Sequence, residues 1–238
     1  QVVVEAKQDL PSVDKTAGNE DVSDNASYSV GDVIDYTLKG TMVNYEENQT
    51  YTYKFTDTMD AALDLVYTAS TADVAQVDSG VKVTLDEGEN AQDITNLFTI
   101  KYVTDKNGKH VLTLESDTLG TVENISANSE IYVTYRAKLN SNFETQVGNK
   151  VKLETTSGQE GTSTPEKEEL VYPLTMKVTK VDGTDDAKKL SGAKFVLYRM
   201  NAEGEKEYAS VGENQTITGW STLGDNEITT AMTLTTNA

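Results

Sequence analysis

Apolar residues at every second position, in short runs broken by Gly, Asn and Asp, restrict the fold of this chain more than any other feature. Successive side chains of a strand point to opposite faces, so each run buries one face of a sheet. Ser29-Val-Gly-Asp-Val-Ile-Asp-Tyr-Thr-Leu gives a turn and then a strand with Ile34, Tyr36 and Leu38 on one face. Val81-Lys-Val-Thr-Leu is a short strand, and the run from Glu130 turns Ile131, Val133, Tyr135 and Ala137 inward. Phe98 to Val103 and Val111 to Leu114 flank the Asn107-Gly108 turn as a hairpin. Helical periodicity is confined to single turns near Met59 to Leu63 and Ala91 to Leu97. The pattern predicts an all-β chain.

Three polar residues occupy inward positions of these runs. Lys15 is in register with Val13 and Ala17; Asp57 follows Tyr51, Tyr53 and Phe55 on one face; Asn149 lies between Val147 and Val151, with Leu153 next. A buried polar group without a partner costs roughly 1–3 kcal/mol or more. Together an amine, a carboxyl and a carboxamide are the reactants and the proton carrier for a side-chain amide bond. Burial lowers an amine's pKa, which makes it nucleophilic, and raises a carboxyl's, which lets Asp57 donate a proton to the Asn149 carbonyl. The product is a Lys15–Asn149 isopeptide with loss of ammonia. Asp60 is the rival acid, pointing off the apolar face, and a hydrogen-bonded trio with no bond is the plainer alternative.

Composition removes other chemistries. With no cysteine, disulfides and thiolate metal sites are excluded. The single histidine, His110, is expected as a solvated residue at the edge of the Asn-Gly turn, and His-based triads and zinc sites cannot be assembled. No cofactor and no metal are expected; Asp182-Gly-Thr-Asp-Asp lacks the spacing of a calcium loop. The net charge of −19, with two arginines, Arg136 and Arg199, argues against nucleic acid as a partner. No apolar run approaches the roughly 20 residues needed to cross a bilayer, so no membrane insertion is expected.

The 238 residues divide into three expected parts: a connecting segment at 1–8, a large β-sandwich at 9–168 and a second, C-terminally incomplete unit at 169–238. The polar stretch from Thr155 to Glu169 reads as a linker or as a long hairpin end. The second unit repeats the anomaly of the first, because Lys180 shares an inward face with Met176 and Val178.

Several segments resemble a known family in order. Pro11-Ser-Val-Asp-Lys15, Tyr28-Ser-Val-Gly-Asp, Tyr53-Lys-Phe-Thr-Asp57-Thr-Met and Gly148-Asn149-Lys-Val-Lys-Leu-Glu resemble the isopeptide-forming fimbrial domain of Gram-positive sortase-assembled pilins. Met176-Lys-Val-Thr-Lys180-Val-Asp-Gly, followed by Leu190-Ser-Gly-Ala-Lys-Phe-Val-Leu-Tyr, is similar to the collagen-adhesin B-type domain. The resemblance implies an Ig-like β-sandwich followed by part of an Ig-like or prealbumin-like one. It also implies a first-strand Lys15 bonded to a last-strand Asn149 with Asp57 as proton shuttle. Lys180 would be the second domain's isopeptide lysine, its partner lying beyond Ala238. Lys7, in Glu5-Ala-Lys7-Gln, would be the sortase-linkage lysine; it keeps only the lysine of the family's Tyr-Pro-Lys-Asn segment.

The function implied is a structural and adhesive cell-wall or pilus protein whose partners are neighbouring pilin subunits and sortase, with a host glycan or matrix protein as ligand. Its chemistry is a single-turnover crosslink rather than enzymatic turnover. A carbohydrate- or host-protein-binding sandwich without crosslink or polymerisation is the alternative. A hydrolase using paired carboxylates is a third, without an acidic pair that stands out.

Overall fold

The computed structural model describes residues 10–18, 27–43, 51–122, 124–143, 145–157, 160–174, 178–223 and 228–237. The main strands of the first unit are β1 (Val13–Ala17), β2 (Val33–Thr41), β3 (Tyr51–Met59), β4 (Leu63–Leu65), β5 (Val81–Leu85), β6 (Thr99–Thr104), β7 (His110–Ser116), β8 (Glu130–Leu139), β9 (Val147–Ser157), β10 (Glu160–Ser163) and β11 (Lys167–Pro173). One sheet runs β1-β2-β8-β5, with β4 paired to the end of β8 and Gln92–Asp93 added to β5. The facing sheet runs β6-β7-β3-β9-β11, with β10 on the end of β9 and Ser27–Tyr28 parallel to β11. The architecture is all-β, and no α-helix occurs among the described residues.

Alternation produces this arrangement directly. Every second residue of β3 is buried, from Tyr51 to Met59, and β9 repeats the pattern from Val147 to Thr155. Ile34, Tyr36 and Leu38 of β2 and Ile131, Val133, Tyr135 and Ala137 of β8 face them across one core. Each fully buried aliphatic side chain contributes roughly 1.5–3 kcal/mol. Gly40 of β2 is required by this packing: a Cβ there would overlap the Tyr53 hydroxyl and lie 2.7 Å from Phe55 Cζ.

The turn between β6 and β7 is built as expected, with Asp105 Oδ1 accepting the backbone N–H of Asn107 at 2.8 Å and of Lys109 at 2.9 Å. His110, however, is half-buried rather than solvated. It pairs with Thr104, which sets its ring diagonally over Tyr102, and the two stack at 5.4 Å.

The polar stretch after Thr155 is a hairpin and not a linker: β10 folds back on β9, pairing Ser163 with Glu154. β11 then joins β9, with Val147 opposite Val171, and carries the first sandwich past residue 168 to Pro173. Asn149 therefore sits on the antepenultimate strand of this unit rather than on its last. The expected boundary at 168/169 places Glu169 onward in the second unit, whereas pairing with β9 puts these residues in the first, where only Val171 of β11 enters the core.

Beyond Pro173 the chain forms small sheets: Val181–Asp182 with Asp185–Lys189, Lys194–Val196 with Thr233–Thr235, and the three strands Tyr198–Met200, Lys206–Val211 and Ile217–Thr222. Among the described residues here only Ala209 is a buried apolar side chain. Lys180 is not buried as alternation with Met176 and Val178 predicts. Lys180 is exposed, as is Val178, and it precedes the strand that starts at Val181. Asp182 holds its own turn, accepting from Thr184 N at 3.0 Å and Thr184 Oγ1 at 2.8 Å.

The small sheets meet the sandwich at one junction. Trp220 Nε1 donates to the Val30 carbonyl at 2.9 Å, and Arg199 reaches Asp32 at 2.5 Å and Glu207 at 2.8 Å while lying 4.7 Å over the Trp220 ring. Gly31, with φ of 93°, turns the chain there, and a Cβ on it would meet Gly219 Cα at 2.8 Å.

Candidate functional site

The three polar residues singled out by strand alternation converge inside the sandwich. Lys15 is 2% exposed, and Asp57 and Asn149 are 0% exposed. Asp57 pairs with Val151 and Asn149 with Met59, so β3 and β9 present them as diagonal neighbours on one inner face. Lys15 comes from the opposite sheet. It lies on the edge strand β1, opposite Leu38 of β2, and β1 also packs on β9 and β11. The cluster thus spans both sheets where they close on each other.

A fourth residue joins them. The hydroxyl of Tyr135, on β8, accepts from Lys15 Nζ at 3.0 Å and from Asn149 Nδ2 at 2.7 Å, and donates to Asp57 Oδ2 at 3.1 Å. Lys15 Nζ also forms an ion pair with Asp57 Oδ2. The walls are aromatic: Tyr36 stacks on Tyr135 at 5.3 Å, and Lys15 Nζ lies 5.2 Å and 5.6 Å from the two ring centroids. Tyr135 is inward-facing by alternation, but strand pattern does not separate it from other core tyrosines. The available signal was that a buried phenol needs a hydrogen-bond partner.

Burial dominates the electrostatics. It lowers the Lys15 pKa against the raising pull of Asp57 and, more weakly, of Glu169, which sits opposite Asn149 on β11. It raises the Asp57 carboxyl against the lowering effect of Lys15 and Tyr135. Both shifts favour one internal transfer, the Lys15 proton to Asp57, leaving a neutral amine beside a neutral acid. Burial also holds the Tyr135 phenol well above its ordinary value, so it keeps its proton.

Three oxygens at the cluster lack a hydrogen-bond partner: Asp57 Oδ1, Asn149 Oδ1 and the Tyr36 hydroxyl. Leaving such atoms unsatisfied costs about 1–3 kcal/mol each. A proton on Asp57 Oδ1 would turn that unpartnered acceptor into a donor. The arrangement can therefore present a nucleophilic amine, an acid and an amide carbonyl within one buried cluster. The rival acid, Asp60, is not in it; its Oδ1 accepts the Ala62 N–H at 3.2 Å. Lys180 is remote from any such cluster and solvent-facing, and Lys7 lies outside the described residues.

No protein-family model and no curated protein matches the sequence. Solved structures do match. The full-length major pilin SpaD from Corynebacterium diphtheriae aligns over 94% of this chain at 20% identity with a TM-score of 0.55. The group B streptococcus pilus 2b backbone protein aligns over 93% of this chain and 78% of its own, at 20% identity and a TM-score of 0.51. BcpA, the major pilin subunit of Bacillus cereus, aligns over 92% of this chain and 65% of its own, at 16% identity and a TM-score of 0.52. This chain spans 50% of the length of full-length SpaD. At these identities the likeness establishes the fold, the β-sandwich architecture of Gram-positive major pilins. Among the described residues no helix is long and apolar enough to cross a membrane.

Proposed function

We propose that this chain is a structural, adhesive surface protein of a Gram-positive bacterium, a pilin subunit whose first sandwich is locked by an isopeptide bond between Lys15 and Asn149. The observation that carries the reading is the convergence of Lys15, Asp57 and Asn149 in one buried cluster that joins two sheets. A structural ion pair does not need the carboxamide. An amide-forming centre needs all three.

In the proposed reaction Lys15 acts as a neutral amine and Nζ attacks Asn149 Cγ. Asp57, carrying the proton that Lys15 gave up, donates it to Asn149 Oδ1 and takes it back as the carbonyl re-forms. One proton moves from Nζ to Nδ2, the Cγ–Nδ2 bond breaks and ammonia leaves. The reactants are held by the fold, and well-oriented intramolecular reactions gain roughly 7–11 kcal/mol from that alone. No cofactor enters, and the event occurs once per chain.

The finer assignments rest on the sequence resemblance together with the pilin-type fold. They are an isopeptide-forming fimbrial domain that begins near residue 9 and runs through β11 to Pro173, a collagen-adhesin B-type domain in the residues after it, in which Lys180, exposed here, would need a partner strand to become the crosslinking lysine, and Lys7 in the 1–8 segment as the residue joined by sortase to a neighbouring subunit. Cell-wall anchoring and a host glycan or matrix ligand belong to the same reading.

Intact-mass measurement under denaturing conditions tests the central claim. The wild-type chain should be lighter than its sequence by one ammonia, and Asp57→Ala should restore the full mass. A wild-type chain of unmodified mass overturns the crosslink and leaves the uncrosslinked binding module as the reading to pursue.

A further inference from the structure

We propose that Tyr135 is a catalytic residue of this crosslink, the relay that carries a proton from the attacking Lys15 amine to the departing Asn149 nitrogen. The inference rests on the crosslink reading above and adds a residue to it. Amide exchange between two nitrogens has a proton problem that a single acid at the carbonyl does not solve. Once Nζ bonds to Cγ it carries a proton it must lose, while Nδ2 must gain one to leave as ammonia rather than as an amide anion.

Among the hydrogen bonds of the cluster, the Tyr135 hydroxyl is the group that touches both nitrogens, Nζ at 3.0 Å and Nδ2 at 2.7 Å. Asp57 is committed elsewhere. Its Oδ2 receives Lys15 and Tyr135, and its Oδ1, like the Asn149 carbonyl oxygen, has no hydrogen-bond partner. A hydroxyl has one hydrogen and two lone pairs. In the resting cluster all three are used, the hydrogen toward Asp57 and the lone pairs toward the two nitrogens.

The direction of the Nδ2 contact must reverse for transfer, and the chemistry reverses it. An amide nitrogen is a donor with no basic lone pair. In the tetrahedral adduct it becomes an amine and accepts. The steps then balance. Neutral Nζ attacks Cγ as Asp57 protonates Oδ1, giving a cationic Nζ and a carboxylate. Tyr135 passes its hydroxyl proton to Nδ2 and takes one from Nζ, so the phenol is regenerated. The Cγ–Nδ2 bond breaks with its electron pair on nitrogen, ammonia departs, and the Oδ1 proton returns to Asp57.

Tyr135→Phe tests this, because it keeps the ring that stacks on Tyr36 and removes only the hydroxyl. Newly synthesised full-length chain is followed by intact mass over time, with hydrogen exchange reporting folding. General acid–base groups contribute typically 10²–10⁴-fold, so ammonia loss should slow by roughly 10²-fold or more in the folded variant. Replacing Tyr135 with a fluorinated tyrosine keeps shape and packing while lowering the phenol's pKa. It should restore crosslinking with an altered pH profile, which a packing role would not produce. Wild-type crosslinking rates in folded Tyr135→Phe, or a fluorotyrosine chain whose pH–rate profile matches wild type, would overturn the relay while leaving the crosslink itself standing. A wild-type chain that never loses ammonia would overturn both.

Discussion

Replacing Lys15 and Asp57 together by Met and Asn separates a covalent crosslink from a buried ion pair by the sign of the stability change. Met fills the lysine's place against the stacked Tyr36 and Tyr135 rings. The carboxamide introduced by Asp57→Asn would keep an oxygen for the Tyr135 hydroxyl and bring an N–H toward the unpaired Asn149 Oδ1. If the native cluster is only an ion pair, its replacement by neutral, well-packed groups should be neutral or stabilising by about 1–4 kcal/mol. If the native chain is crosslinked, the variant loses a closed loop of about 134 residues, worth about 5 kcal/mol by the chain-entropy relation. For a domain of this size that corresponds to a fall in Tm of roughly 10–20 °C. Urea titration supplies an independent readout, since a crosslinked unfolded chain stays more compact and the wild type should show the smaller m-value. A Lys15→Met/Asp57→Asn chain as stable as wild type, with an equal m-value, would refute the loop-closure reasoning.

Three further outcomes follow from the same geometry. In Lys15→Met alone, Asp57 keeps the burial that raises its pKa and loses its cationic neighbour, so the folded state binds its proton more tightly than the unfolded state does. Its stability should be greatest at or below about pH 4, the ordinary carboxylate range, and fall as pH rises through the raised folded value; urea midpoints of Lys15→Met/Asp57→Asn should lack that slope. Gly40→Ala should cost roughly 1–3 kcal/mol by overpacking, read from denaturant curves, because its Cβ meets the Tyr53 hydroxyl and the Phe55 ring. Gly31→Ala should break the junction, since it adds a Cβ 2.8 Å from Gly219 Cα at a φ of 93°. The chain's single tryptophan, Trp220, reports this as a red-shifted emission, while the core of the sandwich keeps its hydrogen-exchange protection.

Alternation made the inner faces of β2, β3, β8 and β9 legible because each of those strands is long and has one buried side, so period two maps directly onto burial. The same rule exposed Lys15, Asp57 and Asn149 as departures. It assigned the residues of β11 from Glu169 onward to the second unit, because their membership of the first comes from pairing with β9, which no local pattern encodes. It misplaced Lys180, which is exposed beside Val178 and precedes the strand that starts at Val181. Tyr135 was visible as an inward residue but not as a member of the site. Its role comes from a meeting of β8, β1, β3 and β9 at one point, and no one-dimensional period encodes that meeting.

The proposed bond matters through where it enters the load path. β1 is an edge strand held to its sheet by five antiparallel pairs with β2, so tension arriving from residue 12 would peel those pairs one after another. A covalent link at Lys15, the middle pair, transfers that tension to Asn149 on the other sheet after two residues. Residues 16 to 148 then lie inside a closed loop, and β2 through β8 drop out of the load path altogether. The rest of β9, the β10 hairpin and β11 stay in it, because the chain continues through them toward the junction at Arg199 and Trp220. A crosslink to the true last strand would have shielded the whole sandwich. Placed on β9, it shields the core and leaves the β9–β11 pairing as the part that yields first.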